Sequence, residues 1–190
     1  MTVYGIVVEG YYDEVVLGEI IKKILAREIT IISRRCNEKD RLIKVFSEHL
    51  ESFRYGNQGS NVDKAIVIRD AHGRDPEELK ESMKSKILNR RYPFEVKFLI
   101  IIHELEAWLL ADEEAISRVT RSRSGKPAVP VNKPLESIID PKETLGKVLS
   151  DAKVPYTPAV AQEIARESDL DRIKYRCPSF GEFRQAVIDC

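Results

Sequence analysis

The chain has 190 residues, of which 43% are hydrophobic and 33% are charged. This composition excludes a disordered chain, and no apolar run approaches the roughly 18–20 residues that a membrane-spanning helix needs. The 31 basic and 31 acidic residues cancel, so overall charge would not draw the protein onto nucleic acid. We therefore predict one globular unit with no membrane partner.

The cysteines and the N-terminus suggest where the protein works. Cys36, Cys177 and Cys190 are scattered and form no Cys-x-x-Cys pair, so neither a disulfide framework nor a zinc site is indicated. The N-terminus lacks the cationic and apolar segments of a secretory signal. These features predict reduced thiols and a cytoplasmic location.

The N-terminal stretch VYGIVVEGYYDE predicts a strand that ends on an acid. Residues 3–8 are apolar and rich in β-branched side chains, which favours a buried strand. After Gly10, apolar residues recur at helical spacing over residues 11–27. Ligands of α/β proteins bind at the carboxyl ends of parallel strands, so Glu9 lies where a functional side chain is expected.

Helices and strands continue to alternate through Asp112. Further strands are predicted at residues 28–33, 63–69 and 94–102, and helices at 37–53, 76–91 and 105–112. A turn is expected around residues 56–61, and Asp75 should cap the helix that starts at Pro76. The alternation predicts a Rossmann-like α/β core with a mainly parallel four-stranded sheet flanked by helices.

Beyond Asp112 the composition changes. Four basic residues lie among Ser, Gly and Pro, a pattern that predicts a flexible loop: Arg118, Arg121, Arg123 and Lys126. This basic loop could contact a nucleic-acid backbone, and a merely solvated charge run is the alternative. Short helices are expected at 142–151, 158–167 and 179–188. We therefore divide the chain into a core at residues 1–112 and, at 113–190, a basic loop and C-terminal helical cap packed on it.

Acidic residues follow three of the predicted strands: Glu9, Asp70, and the pair Glu104 and Glu106. Parallel strands end at one edge of a sheet, so these acids should be close in space. Their oxygens suit a hard cation such as Mg²⁺, which can polarise a phosphoryl oxygen. A further carboxylate, Glu9 or Glu106, could act as a general acid or base. The structural alternative is that each acid caps a helix or lies in its first turn.

Histidines and aromatic residues next to these acids are open to more than one interpretation. His72 could be a metal ligand or a proton carrier, or a turn residue bonded to backbone. His103 directly follows the fourth strand and could either belong to the functional site or have a structural role. Trp108 is predicted to pack in the core. Tyr11 and Tyr12 are better placed to contact a substrate, although one of the two is expected to pack on the sheet.

Four ordered motifs resemble a known family: VEGYYDEVVL, IRDAHG, HELEAWLLAD and CPSFGEFRQAV. They are similar to a domain-of-unknown-function family of TOPRIM-like proteins, related to the TOPRIM domains of OLD-type nucleases, primases and topoisomerases. The resemblance implies a TOPRIM-type core, a Mg²⁺ or Mn²⁺ cofactor and phosphodiester chemistry. It makes Glu9 the general acid or base and Asp70 the first metal-binding aspartate, and it places Glu106 in a Glu-Ala-Trp motif.

His72 departs from the TOPRIM pattern, because an aspartate is expected at that position. Histidine suits Mn²⁺ or later transition metals better than Mg²⁺. Either the site is rebuilt with Asp75, Glu104 or Glu106, or catalysis has been lost. The metal-ligand candidates are Asp70, His72, Glu104 and Glu106, and the catalytic candidates are Glu9, Asp70 and Glu106.

Two functions are compatible with these patterns. One is a metal-dependent nuclease-like protein, in defence or DNA maintenance, whose basic loop contacts DNA or RNA phosphates. For this function Glu9→Gln should abolish nicking and leave thermal stability nearly unchanged. The other is a non-catalytic TOPRIM-like module that binds a nucleotide or a protein such as a co-encoded ATPase. A second copy of the chain, forming a homodimer, is a further partner to consider.

Overall fold

The computed structural model describes residues 1–36, 41–54, 62–102 and 104–189. Four strands form one sheet in the order β2-β1-β3-β4: β1 (Thr2–Val8), β2 (Ile29–Arg35), β3 (Lys64–Asp70) and β4 (Glu95–Ile101). Every pair of neighbouring strands is parallel. The predicted α/β fold with a parallel four-stranded sheet is therefore confirmed.

Helices fill most of the remaining described chain. The first group is α1 (Tyr11–Leu25), α2 (Leu42–Arg54), α3 (Pro76–Ile87) and α4 (Glu106–Ala111), and the second is α5 (Glu113–Ser124), α6 (Pro141–Asp151), α7 (Pro158–Glu167), α8 (Leu170–Arg176) and α9 (Ser179–Ile188). The predicted bounds of α7 and α9 are confirmed. The predicted turn at 56–61, the predicted helix start at 37–40, and His103 lie outside the described residues. No helix in the described ranges has the length and apolar character needed to cross a membrane.

Each face of the sheet carries its own hydrophobic cluster, because side chains alternate along a strand. Val7 of β1 belongs to a cluster with Phe46 of α2 and Met83 of α3. Ile6 and Val8 belong to a second cluster, which α1, α4 and the C-terminal helices complete. Most of the chain after Asp112 is thus folded against the face of the sheet that also carries α1.

Gly5 allows α2 to approach β1 closely. A Cβ atom at Gly5 would lie 2.7 Å from Cε2 of Phe53, far inside van der Waals contact. The Phe53 ring, only 3% exposed, therefore packs directly over the backbone of β1. This position requires glycine for space, although the strand around it favours β-branched residues.

The prediction of a basic loop is wrong, because three of its four cations lie on helix α5: Arg118, Arg121 and Arg123. Asp112 caps this helix by accepting a hydrogen bond from the Ala115 N–H at 3.2 Å. Gly125 ends it in the left-handed conformation, with φ of 74°. Its inner face buries Ala115, Ile116, Val119 and Thr120. The Ser and Arg residues that suggested a loop form the exposed face of an amphipathic helix.

Candidate acidic site at the carboxyl edge of the sheet

Glu9 follows β1 directly and lies between two basic side chains. Its Oε1 is 3.2 Å from Nε of Arg69, and its Oε2 is 3.6 Å from Nε2 of His72. Arg69 comes from the neighbouring strand β3 and is 2% exposed. Burial raises the pKa of Glu9, although Arg69 and His72 oppose that rise. Glu9 is therefore a candidate proton carrier that is also half of a buried ion pair.

Asp70 is the last residue of β3 and is half-buried. Burial raises its pKa well above the usual 3.8, and four neighbouring carboxylates add to the rise: Asp13, Glu106, Glu9 and Glu104. The structure thus brings together Glu9, Asp70, Glu104 and Glu106, the acids that the strand ends predicted to be neighbours. Asp70 is the residue on which their charges converge.

Asp13 is a member of this cluster that the sequence analysis did not select. It lies in the first turn of α1, where an acid is expected from the helix dipole alone. The Gly10 N–H donates a hydrogen bond to Asp13 Oδ2 at 2.7 Å. Burial raises the pKa of Asp13, and this hydrogen bond and Lys142 oppose the rise. The position of Asp13 in the motif VEGYYDE was the sequence feature that could have identified this residue.

Glu106 begins α4 and is 5% exposed. Tyr156 follows α6 in the chain, and its hydroxyl donates a hydrogen bond to Glu106 Oε1 at 2.8 Å. Burial raises the pKa of Glu106, whereas this hydrogen bond and the Lys142 charge lower it. Burial and the Glu106 charge in turn raise the pKa of Tyr156, so this hydroxyl stays protonated and keeps donating.

Lys142, near the start of α6, brings a cation to the same acids. Its main-chain N–H donates to Glu104 Oε2 at 3.2 Å, and its Nζ lies 4.0 Å from Glu106 Oε1. The ammonium also lies 4.8 Å from the centre of the Tyr12 ring, which packs against the Tyr156 ring. Tyr12 therefore packs within the site. No local sequence pattern had indicated that Lys142 or Tyr156 would belong to it.

The turn after β3 carries His72 and Asp75. His72 has a left-handed backbone, with φ of 48°, and Gly73 follows with φ of 78°. The His72 imidazole faces Glu9. Asp75 caps α3 by accepting a hydrogen bond from the Glu78 N–H at 2.9 Å, so its predicted capping role is confirmed. That role occupies the carboxylate and argues against Asp75 as a replacement metal ligand.

Two of the four predicted nucleic-acid contacts are engaged in helix packing. Arg118 Nε lies 3.2 Å from Glu167 Oε2, and Arg123 Nη2 lies 2.6 Å from Glu163 Oε2. Both acids belong to α7, so these pairs link α5 to α7. Arg121 and Lys126 are exposed. Arg118 and Arg123 therefore have a structural role, whatever they bind.

Asp70→Asn is expected to stabilise the protein at neutral pH in EDTA. The folded protein binds the Asp70 proton more tightly than the unfolded chain does, because the pKa is raised above 3.8. The contribution of Asp70 to wild-type stability therefore falls as pH rises from 3.8 through the raised pKa. Asparagine stays neutral and avoids that loss. Calorimetry should show a higher melting temperature for the variant at neutral pH, and a difference that shrinks toward pH 3.8. A variant less stable than wild type at neutral pH would contradict the interpretation that burial and neighbouring carboxylates make ionised Asp70 unfavourable in the folded protein.

The fold and the site define a class: a parallel α/β protein with an acidic cluster at the carboxyl edge of its sheet. The family model described as a domain of unknown function, DUF4276, matches residues 8–188, and the chain belongs to this family. The comparison with curated proteins gives no match. Among solved structures, the chain is similar to the C-terminal region of the OLD protein of Xanthomonas campestris pv. campestris. The identity is 16% and the TM-score 0.47, and the match covers 97% of this chain and 96% of that one.

Proposed function

We propose that the protein carries out divalent-cation-dependent phosphodiester chemistry on nucleic acid, as a TOPRIM-like nuclease. The observation that carries the proposal is the convergence of carboxylates on Asp70, at the sheet edge where α/β proteins bind ligands. Crowding of like charges opposes folding, and strongly shifted pKa values of this kind are typical of functional sites. A bound cation would offset the repulsion.

The donor chemistry of the site fits a hard cation. Asp70, Glu104 and Glu106 would hold Mg²⁺ or Mn²⁺ through carboxylate oxygens, which both ions accept. Within the described ranges, no three His, Cys, Asp or Glu side chains already form a metal-ligating group. The ion would polarise a phosphoryl oxygen and favour attack on phosphorus.

The protein's own groups would position the cluster and carry the proton. Glu9 has a pKa raised by burial, which suits a general acid or base beside a reacting phosphate. Tyr156 holds Glu106 in place through its hydroxyl. The Lys142 ammonium, about half exposed, can contact a phosphate oxygen without leaving its position near Glu106. His72 contacts Glu9 and is better suited to tuning that carboxyl than to binding Mg²⁺.

Cleavage of supercoiled plasmid and of a single-stranded RNA tests this proposal. We expect the wild type to cut one of them with Mg²⁺ or Mn²⁺ and neither in EDTA, and Asp70→Asn to lose the activity. Glu163→Gln is the matched control, because it removes an acid that pairs with Arg123 on α5, outside the acidic cluster. A wild type that cuts neither substrate, or an Asp70→Asn variant as active as wild type, would overturn the proposal.

The engagement of Glu9 by Arg69 and His72 favours a second candidate, a non-catalytic module that binds a nucleotide or a co-encoded ATPase. Such a module needs no free general base. Binding of Mn²⁺ or nucleotide by a wild type that cuts no substrate would support it.

A further inference from the structure

A groove of about 390 Å³ runs between α1 and the edge strand β2. Its lining includes Tyr11, Gly18 and Lys22 from α1, and Ser33 and Arg35 from β2. This volume lies in the range of about 300–1,000 Å³ that is usual for small-ligand sites. None of the roles described for the acidic cluster uses these five residues.

The groove opens beside the acidic site. Arg35 pairs with Val8 in the register of β2 and β1, and Glu9 is the residue after Val8. The Cys36 N–H donates to the Val8 carbonyl at 3.1 Å, which keeps the two strand ends together. Neighbouring strands are about 4.8 Å apart. A chain that lay in the groove would therefore continue directly toward the acids.

At this end of the groove the Arg35 guanidinium is stacked over one face of the Tyr11 ring, so the pair is held in a fixed arrangement. Tyr11 is 51% exposed, and the guanidinium carbon of Arg35 lies 4.9 Å from the centre of its ring. Arg35 is held in turn by Glu14, 2.9 Å from its Nε, and the Ser33 hydroxyl donates to the same carboxylate. These contacts reduce the entropy that ordering the two side chains around a ligand would cost.

We propose that the Tyr11 ring, covered by Arg35 on one face, stacks an unpaired nucleobase on its other face, and that the groove holds the adjoining sugar and phosphate. Aromatic rings and guanidinium planes are the surfaces on which single-stranded bases stack. A base inside a duplex is already stacked on both faces, so the site selects single strands or unpaired ends. Lys22 supplies a cation for the phosphate. This inference rests on the proposed function, for which it names the substrate class.

Fluorescence anisotropy with a labelled single strand of about 12 nucleotides tests the inference. Binding is measured in EDTA and, separately, in Ca²⁺, and a duplex of the same sequence is the comparison. We expect the single strand to bind more tightly than the duplex. Tyr11→Leu should weaken single-strand binding by about tenfold, the usual effect of losing one stacked base, and Tyr11→Phe should stay within about twofold. Tyr175→Leu is the control, since Tyr175 on α8 is 88% exposed.

Gly18 offers a second test that does not alter Tyr11. A Cβ atom at Gly18 would meet nothing within 4 Å outside its own helix backbone, so a side chain can begin at this position without a clash. Glutamine also forms helix better than glycine does, so Gly18→Gln should remain folded. We expect Gly18→Gln to weaken single-strand binding by about fivefold, within the effect of one base contact, and Gly18→Ala, which adds a single methyl group, to weaken it less.

Equal affinities of wild type and Tyr11→Leu would overturn the inference, as would absence of single-strand binding in both buffers. Either result leaves the cleavage experiment on Asp70 standing. Conversely, Tyr11-dependent binding by a protein that cuts neither substrate would support the groove and overturn the proposed chemistry. The two proposals therefore fail by different measurements.

Discussion

Arg69→Met should lower the free energy of unfolding by about 3–5 kcal/mol, the usual cost of removing one partner from a buried ion pair. The Arg69 side chain is 1% exposed and that of Glu9 is 16% exposed, so neither charge is well solvated. Without Arg69, the Glu9 carboxylate keeps only its longer contact with His72, at 3.6 Å, among the pairs described here. Urea denaturation followed by circular dichroism measures the loss.

The double variant Glu9→Gln with Arg69→Met is the control for that result. It removes both charges and should recover most of the stability that Arg69→Met alone loses. For Glu9→Gln alone, the lost contact with Arg69 is offset because burial raises the pKa of Glu9 and so favours a neutral side chain there, and we expect stability to change little. The expectation from sequence, that Glu9→Gln leaves thermal stability nearly unchanged, therefore stays a prediction. A loss under about 1 kcal/mol for Arg69→Met, as for an exposed pair, would contradict the buried-pair interpretation.

Trp108→Ala should lower the free energy of unfolding by about 3–5 kcal/mol, as truncation of a buried tryptophan usually does. Trp108 of α4 is 2% exposed, and its ring lies 5.0 Å from that of Phe180 and 4.8 Å from that of Phe183. Both phenylalanines belong to α9. Trp108→Ala therefore creates a cavity between α4 and α9.

Urea denaturation of the Trp108→Ala variant should still give one transition, because the cluster joins the sheet face to the C-terminal helices. Trp108→Phe should cost less than Trp108→Ala, since it leaves a smaller cavity. Tyr175→Ala is the control for an exposed aromatic residue, with an expected change within about 0.5 kcal/mol. Two separate transitions would show that the C-terminal helices unfold independently of the sheet.

The sheet was predictable because each strand is a short apolar run bounded by turn or polar residues, as in residues 3–8 and 63–69. Helix α5 was not predicted, because its Ser and Arg residues hid the spacing of Ala115, Ile116 and Val119. Helix α8 was also missed. It has seven residues, of which Ile173 is the buried one, so it has too few turns to show a period.

The convergence of Glu9, Asp70 and Glu106 followed from one rule, that parallel strands end at one edge of a sheet. The groups that modify them did not follow from any local rule. Tyr156 contacts Glu106 across 50 residues of sequence, and such a contact depends on how α6 and α7 pack. Asp13 was overlooked because an acid in a helix first turn has a sufficient local explanation.

The left-handed backbone at His72 limits which residues can replace it during evolution. Beyond glycine, asparagine, aspartate and histidine enter this conformation most readily, whereas β-branched residues strain it. An aspartate or asparagine could therefore replace His72 by substitution alone, with no rearrangement of the chain.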